Sequence, residues 1–405
     1  MGAVEDEVVI RFETAPSYRE FFERCLVANR PCILPRSLIS HWPVEQSRAW
    51  ASPHDGSINW SALKLRYGSQ TAPVVVIRTN AHGDEKEDRQ EMTISDAIDL
   101  ILAHRTDPCN IKAIYIKDWH LIKQLHSDAS GARDPYVVPE IFEDDWMNNV
   151  GAGGDDFRFV YAGTAGSQTL LHRDVYTSYS WSTNVVGRKR WHLFPPRVVA
   201  HLRRFPAVET SPMVPDIQTL QNIIDAATKG KEYSELHKAW KAVQVVDQQE
   251  GETIFVPSNW WHEVHNVGEC ISINRNWCNA VNVPSLYRSI EAELEHVERS
   301  LCDVHEMLQS NNTQGEEWRK EFYTLVQDVA VQDAGWAWDG FWKMVLRNLR
   351  NPPTGSRCRP DAKWVRTRIL PLAQQFETRQ DAHWLDASIL DTARRCRQLL
   401  EGHME

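Results

Sequence analysis

The spacing of apolar and polar residues changes period along this chain, and each change marks a change of element. Residues 17–29 (SYREFFERCLVAN) carry apolar residues at helical spacing and stop before Arg30-Pro31. CIL follows as a short strand before Pro35, and residues 73–78 (PVVVIR) read as a buried strand. Residues 92–103 read as a helix that Thr93 or Ser95 caps, and residues 113–121 (AIYIKDWHL) as another strand. From residue 157 the runs become short, with turn residues between them: FRFVYAG (157–163), SQTLLHRDVY (167–176), YSWSTNVVG (179–187) and KRWHLFPP (189–196). The segment 197–245 interrupts them with helical stretches and reads as an insertion. Strands resume at AVQVVD, at 251–257, at 262–267 and at 270–277, with Gln248-Gln249-Glu250-Gly251 as the turn before the last hairpin. This succession predicts an all-β sandwich or barrel at the centre of the chain.

From Pro284 the period becomes helical. Leu286, Ile290, Leu294, Val297, Leu301, Val304 and Leu308 form one stripe over 284–308. It packs on the protein's own core or makes a homodimer interface. A linker-like break falls at residues 351–356 (NPPTGS). Around it Lys343, Arg347, Arg350, Arg357, Arg359, Lys363, Arg366 and Arg368 make a basic excess, either a solvated face or a dock for an acidic partner. The expected domains are a supporting N-terminal region (1–110), a core (111–282, with the insertion 197–245) and a helical region (283–405).

The chemistry lies in His172-Arg173-Asp174 and in His262, 88 positions after Asp174. Two histidines and a carboxylate are the facial triad that holds non-haem Fe(II) and leaves open positions for a co-substrate and O2. The H-x-[DE] string also occurs at His82, in a polar loop, and at His296, in a helical pattern where i and i+2 diverge. In a strand, i and i+2 share one face, so His172 and Asp174 reach one metal. His262 follows a Pro-bounded turn. His265 competes as third ligand but faces the other way in a strand. The run Gly187-Arg188-Lys189-Arg190-Trp191 brings a cation to the strand after the H-x-D strand, as a carboxylate co-substrate needs.

Composition narrows the setting. The chain has 405 residues, 42% of them hydrophobic, and 17 Trp, which predicts a substantial aromatic core. Its eight Cys are scattered without a C-x-x-C, which argues against a zinc finger or disulfide framework and fits a reducing compartment. A net charge of −10 disfavours general nucleic-acid binding. No signal peptide, myristoylation motif or transmembrane run is expected. The cytoplasm is the expected location, with the nucleus as alternative.

The stretch FRFVYAGTAGSQTLLHRDVYTSYSWSTNVVGRKRWHLFPP, with GETIFVPSNWWHEVHNVGECISINRNW, resembles a JmjC (Jumonji C) domain of the hydroxylase type. YIKDWHL and ISINRNWCNAVN strengthen it, and the resemblance covers roughly residues 15–310. It implies an α+β fold, a double-stranded β-helix (cupin or jelly roll) with flanking helices. It implies His172, Asp174 and His262 as iron ligands, and Lys189, Thr169 and Tyr115 as contacts of the 2-oxoglutarate 5-carboxylate. Asn274 and Asn276 are implied near the same co-substrate. Ser182 stands where some relatives have Asn, and Arg173 replaces a small or apolar residue. The function implied is a protein hydroxylase, nearest to a lysyl hydroxylase of the eukaryotic translation termination (release) factor. Trp181, Trp260 and Trp261 are then expected at the substrate mouth. The rivals are a JmjC histone lysine or arginine demethylase and a non-catalytic cupin-type binding protein.

Overall fold

The computed structural model describes residues 8–80, 82, 85–108, 110–127, 133–148, 157–203, 212–226, 231–311, 315–352 and 357–402. The N-terminal strands are β1 (Ile10–Arg11), β2 (Cys32–Leu34), β3 (Thr71–Thr79), β4 (Glu85–Thr93) and β5 (Ile111–Trp119). The central strands are β6 (Arg158–Gly163), β7 (Gln168–His172), β8 (Tyr179–Val186) and β9 (Lys189–Phe194). After the insertion come β10 (Gln244–Gln248), β11 (Thr253–Val256), β12 (Trp261–Asn266) and β13 (Cys270–Trp277). They form two sheets, one of nine strands in the order β1-β2-β11-β8-β13-β6-β5-β3-β4, the other in the order β10-β9-β12-β7. These are the two walls of a jelly roll, closed by antiparallel pairing and filled by inward side chains.

Alternation explains β8. Ser180, Ser182 and Asn184 make polar contacts, to Asp174, Asn274 and the Gln248 carbonyl. Trp181, of opposite parity, lies among Trp42 and Tyr136, ring centroids 6.0 and 5.9 Å away. The strand therefore has a polar face and an aromatic one. Gly187 starts the two-residue turn into β9. Its φ is +89°, and a Cβ there would meet the Glu269 carbonyl oxygen at 2.1 Å, so only glycine makes this turn. That tight turn fixes the register of Lys189 opposite Gln248 and Asn266.

Two compact units divide the chain: Met1–Pro139, Asp156–Asp174 and Tyr179–Asn276 in the first; Glu140–Asp155, Val175–Ser178 and Trp277–Glu405 in the second. The N-terminal region expected to support the core contributes β1 to β4 to the sheet that also holds β5, β6 and β13. It also holds α1 (Tyr18–Phe21), α2 (Pro43–Ser47), α3 (Trp60–Tyr67) and α4 (Ile94–Thr106), and α5 (Leu121–Ser127) follows β5. The helix expected over 17–29 is capped by Ser17, whose Oγ accepts from the Glu20 amide at 3.2 Å, and widens into a π-helical turn over Phe22–Val27. Thr93, not Ser95, caps α4. The insertion is helical, with α6 (Ile217–Ala226) and α7 (Lys231–Ala242). Its Leu220, Ile224 and Leu236 join Leu171 and Phe194 in one apolar cluster.

The second unit is helical: α8 (Val283–Ser300), α9 (Cys302–Asn311), α10 (Glu317–Ala334), α11 (Trp338–Arg350), α12 (Ala362–Glu377) and α13 (Ala387–Gly402). The single helix expected over 284–308 divides at Leu301, whose φ and ψ of −98° and 19° end α8. Leu286, Ile290, Leu294 and Val297 are buried inside this unit, where α8 packs against α10 and α12. Tyr287, Trp338 and Phe376 meet edge to face or tilted, with ring centroids 4.8 and 5.0 Å apart. Part of the basic excess has internal partners. Arg347 donates to the Trp146 carbonyl at 3.0 Å, Arg368 to the Val281 carbonyl at 3.2 Å, and Lys343 pairs with Asp339 at 2.6 Å. Of the linker-like break, residues 353–356 lie outside the described residues.

Trp181 and Trp260 are 0% and 2% exposed, so these two residues expected at a substrate mouth belong to the core. Trp260 donates its indole N–H to the Asn29 carbonyl at 2.9 Å. Trp261 is partly buried against the insertion. Trp181→Ala should therefore lower unfolding free energy by about 3–5 kcal/mol in urea titrations. An unchanged midpoint with lost substrate binding would return Trp181 to the mouth.

Candidate active site

The site begins with a register. β12 pairs antiparallel with β7, setting His262 opposite His172, and the two rings lie 4.3 Å apart between centroids. Asp174 follows two residues later. One ligand atom from each of the three lies within 4.8 Å of the others, the one such group among the described residues. His265 is not part of it. Its Nε2 lies 2.6 Å from Glu263 Oε1, as opposite parity on β12 requires. Arg173 is exposed and reaches Asn259 at 3.4 Å, so its unusual identity leaves the triad undisturbed.

Hydrogen bonding fixes the tautomers. His172 Nδ1 lies 2.7 Å from the Leu170 carbonyl and His262 Nδ1 3.1 Å from the Trp260 carbonyl. A carbonyl only accepts, so each Nδ1 carries the proton and each Nε2 offers its lone pair. Burial draws the His172 pKa down to about 4, and the neighbouring His262 adds to the fall. The ring is neutral at physiological pH, the form that binds metal. Both Asp174 oxygens are held: Ser180 Oγ donates to Oδ2 at 2.7 Å and Asn276 Nδ2 to Oδ1 at 2.8 Å. This donor set fits Fe(II).

A cavity opens beside the triad, lined by all eight residues expected from sequence together with Tyr161, Ser180, Trp191 and Val264. Thr169 reaches it through an irregularity. Val264 pairs with Thr169 while His262 pairs with His172, so three steps on β7 match two on β12. Regular alternation would point Thr169 and His172 to opposite faces; the bulge turns both inward. Lys189 is 1% exposed and donates to Ser272 Oγ at 2.7 Å. It has no ion pair among the described residues, and burial lowers its pKa. A buried ammonium without a counter-anion is costly, so the cavity suits a carboxylate ligand. Tyr115 shares a hydrogen bond with Thr169, and burial raises its hydroxyl well above the usual range, so the phenol stays protonated.

Asn274 and Asn276 divide their roles. Asn274 Oδ1 accepts from Ser272 Oγ at 2.8 Å and Ser182 Oγ at 3.1 Å, a chain that continues to Lys189. Asn276 gives its amide to Asp174, so it sits on the metal ligand and not on the carboxylate end. Sequence reading missed Ser180, Ser272 and Tyr161. Parity was the available signal: Ser180 matches Ser182, Ser272 matches Asn274, and Tyr161 shares its face with Gly163 on the first central strand.

The family described as "Cupin-like domain" matches residues 18–282. The chain is 32% identical over 297 residues to "2-oxoglutarate and iron-dependent oxygenase JMJD4" of Homo sapiens, covering 71% of this chain and 65% of that protein. It is 33% identical over 293 residues to "JmjC domain-containing protein 1" of Schizosaccharomyces pombe, covering 71% and 56%. It is 31% identical over 322 residues to "Arginine-specific demethylase JMJ20" of Arabidopsis thaliana, covering 73% and 64%. The chain thus spans less than two thirds of the length of these relatives.

Two outcomes follow from the geometry. Ser180→Ala and Asn276→Ala should each weaken metal binding by about 10–100-fold in anaerobic Fe(II) titrations, because they orient a ligand carboxylate. His265→Ala should leave metal affinity unchanged, and a comparable loss there would give the third ligand to His265. Lys189→Ala should raise the 2-oxoglutarate requirement by at least about tenfold, the worth of one charge-assisted hydrogen bond, while Arg188→Ala should not.

Proposed function

The chain belongs to the cupin-like JmjC family, and we propose that it is an Fe(II)- and 2-oxoglutarate-dependent dioxygenase that hydroxylates a lysine of the eukaryotic translation release factor. The observation that carries the oxygenase reading is the three-ligand cluster beside a buried, anion-deficient lysine. The lysine and the release factor rest on the family resemblance of the chain's motifs. Action in the cytoplasm, where translation ends, belongs to the same proposal.

The side chains divide the work. His172 and His262 present Nε2 lone pairs, and Asp174, held by Ser180 and Asn276, offsets metal charge. Lys189, Thr169 and Tyr115 would hold the far carboxylate of 2-oxoglutarate. Trp191 and Val264, buried at 3% and 6% exposure, keep that wall apolar. Fe(II) with 2-oxoglutarate and O2 supplies an oxidant able to take hydrogen from an unactivated C–H bond. The chain's own groups would place the co-substrate beside that metal.

A second reading is arginine or lysine demethylation, favoured by the similarity to a relative named an arginine-specific demethylase. The two start with the same hydrogen abstraction. A side-chain methylene yields a stable alcohol, whereas an N-methyl group yields a hemiaminal that releases formaldehyde. Unmodified release factor incubated with the protein, Fe(II), 2-oxoglutarate and ascorbate should gain one oxygen mass on a lysine, with equimolar succinate and no formaldehyde. Peptide mass spectrometry and succinate assay check this. Formaldehyde from methylated histone peptides, with an unchanged release factor, would move the assignment to demethylase.

A further inference from the structure

The helical unit holds a cavity of its own. Its volume is about 280 Å³, and it lies where the last turn of α11, the first turn of α12 and the last turn of α13 meet. Leu349, Pro352, Pro360, Val365 and Leu400 make much of its wall apolar. Helix α13 packs against both α11 and α12, so an open apolar space at their junction forgoes contacts that close packing would make. Ligand pockets are built this way, mostly apolar with a few convergent polar groups, and this one is near the lower end of their roughly 300–1,000 Å³. Its size suits one large side chain.

Asp144 is the buried polar group of this cavity. It is 5% exposed, and Trp146 Nε1 donates to its Oδ1 at 3.0 Å. Burial raises its carboxyl to about 6, although Trp146, Arg359 and Asn279 favour the charged form. At neutral pH it is a buried anion, and a further N–H or O–H donor would stabilise it. The turn that carries it is already fixed. The Trp146 amide donates to the Cys278 carbonyl at 2.8 Å, and its carbonyl accepts from Arg347 at 3.0 Å and Asn348 at 3.2 Å. A site built in advance loses little conformational freedom on binding.

The rim carries the opposite charge. Arg359 lines the cavity and is exposed. Ala362 and Val365 bring the first turn of α12 to it, and Arg366, four residues after Ala362, shares their helix face. Lys363 stands next to Ala362 and is exposed. Lys363 and Arg366 make no hydrogen bond or ion pair among the described residues, unlike Lys343, Arg347 and Arg368 of the same basic stretch. Asp361, a carboxylate of this rim, is engaged as the N-cap of α12 and accepts from the Trp364 amide at 2.7 Å. On a chain of net charge −10, cations left over beside an apolar opening form a local field that favours an acidic ligand.

We propose that this cavity docks an acidic segment of a protein partner, with a tyrosine or tryptophan of that segment in the cavity and its acidic neighbours on Arg359, Lys363 and Arg366. The ring covers the apolar wall, its O–H or N–H reaches Asp144, and the flanking carboxylates meet the cations of the rim. The probe is a fluorescein-labelled peptide of glutamates around one central tyrosine, titrated into the full chain and followed by fluorescence anisotropy. Binding should saturate and weaken as salt is raised. It should fall by at least about tenfold when the tyrosine becomes alanine, when the glutamates become lysines, or when the protein carries Lys363→Glu with Arg366→Glu. Ala362→Phe, which sets a ring in the mouth of the cavity, should do the same while Tm stays at the parent value. Phenylalanine in place of the tyrosine should bind the parent more weakly, and that difference should vanish in Asp144→Ala. Should Asp144→Ala fail to fold, the rim variants and Ala362→Phe still decide. A peptide that does not bind, or that binds those variants as it binds the parent, would overturn the proposal. So would an RNA oligonucleotide that binds more tightly than the peptide and is lost in Lys363→Glu with Arg366→Glu, because the rim would then be a nucleic-acid contact.

Discussion

The antiparallel pairing that sets His262 opposite His172 is the constraint on which the first unit depends. A metal centre needs its donors within a few ångströms, and these two are 90 residues apart (262 − 172) in the chain. Only a sheet register brings them together, and a one-residue slip would turn every side chain of β12 to the other face. Three local features hold that register. Gly187 makes the turn that starts β9 against β12; the bulge in β7 allows Thr169 and His172 to share a face; and Leu171, between them, packs into the insertion's apolar cluster. The helical insertion thus backs the strand that ends on His172, two residues before Asp174.

A polar cavity inside a sandwich must be offset by apolar burial elsewhere. Lys189, Asn274, Asn276, Ser272 and Ser182 occupy positions that a structural jelly roll would fill with aliphatic side chains. On the opposite face of β8 stands Trp181, with Trp42 and Tyr136 around it. The alternation of one strand therefore serves both needs, a polar face toward the site and an aromatic one away from it. Trp181 thus lies seven residues after Asp174 in sequence yet belongs to the core.

Most of the central strands and the three residues of the candidate metal cluster were legible in the sequence, because alternation over 157–187 and 251–277 is strong and tight turns punctuate it. β4 was not legible. EKEDRQEMT has almost no apolar residue, since it lies at the sheet's edge and is held by backbone bonds to β3. The division at Leu301 was hidden because the apolar stripe continues across it while the backbone does not. The tryptophans near the ligands were assigned to a mouth by proximity in sequence, although the parity of Trp181 already pointed it away from Ser180 and Ser182. Ser180 was passed over because a single serine carries no motif. Only the fold shows that its hydroxyl meets a ligand carboxylate.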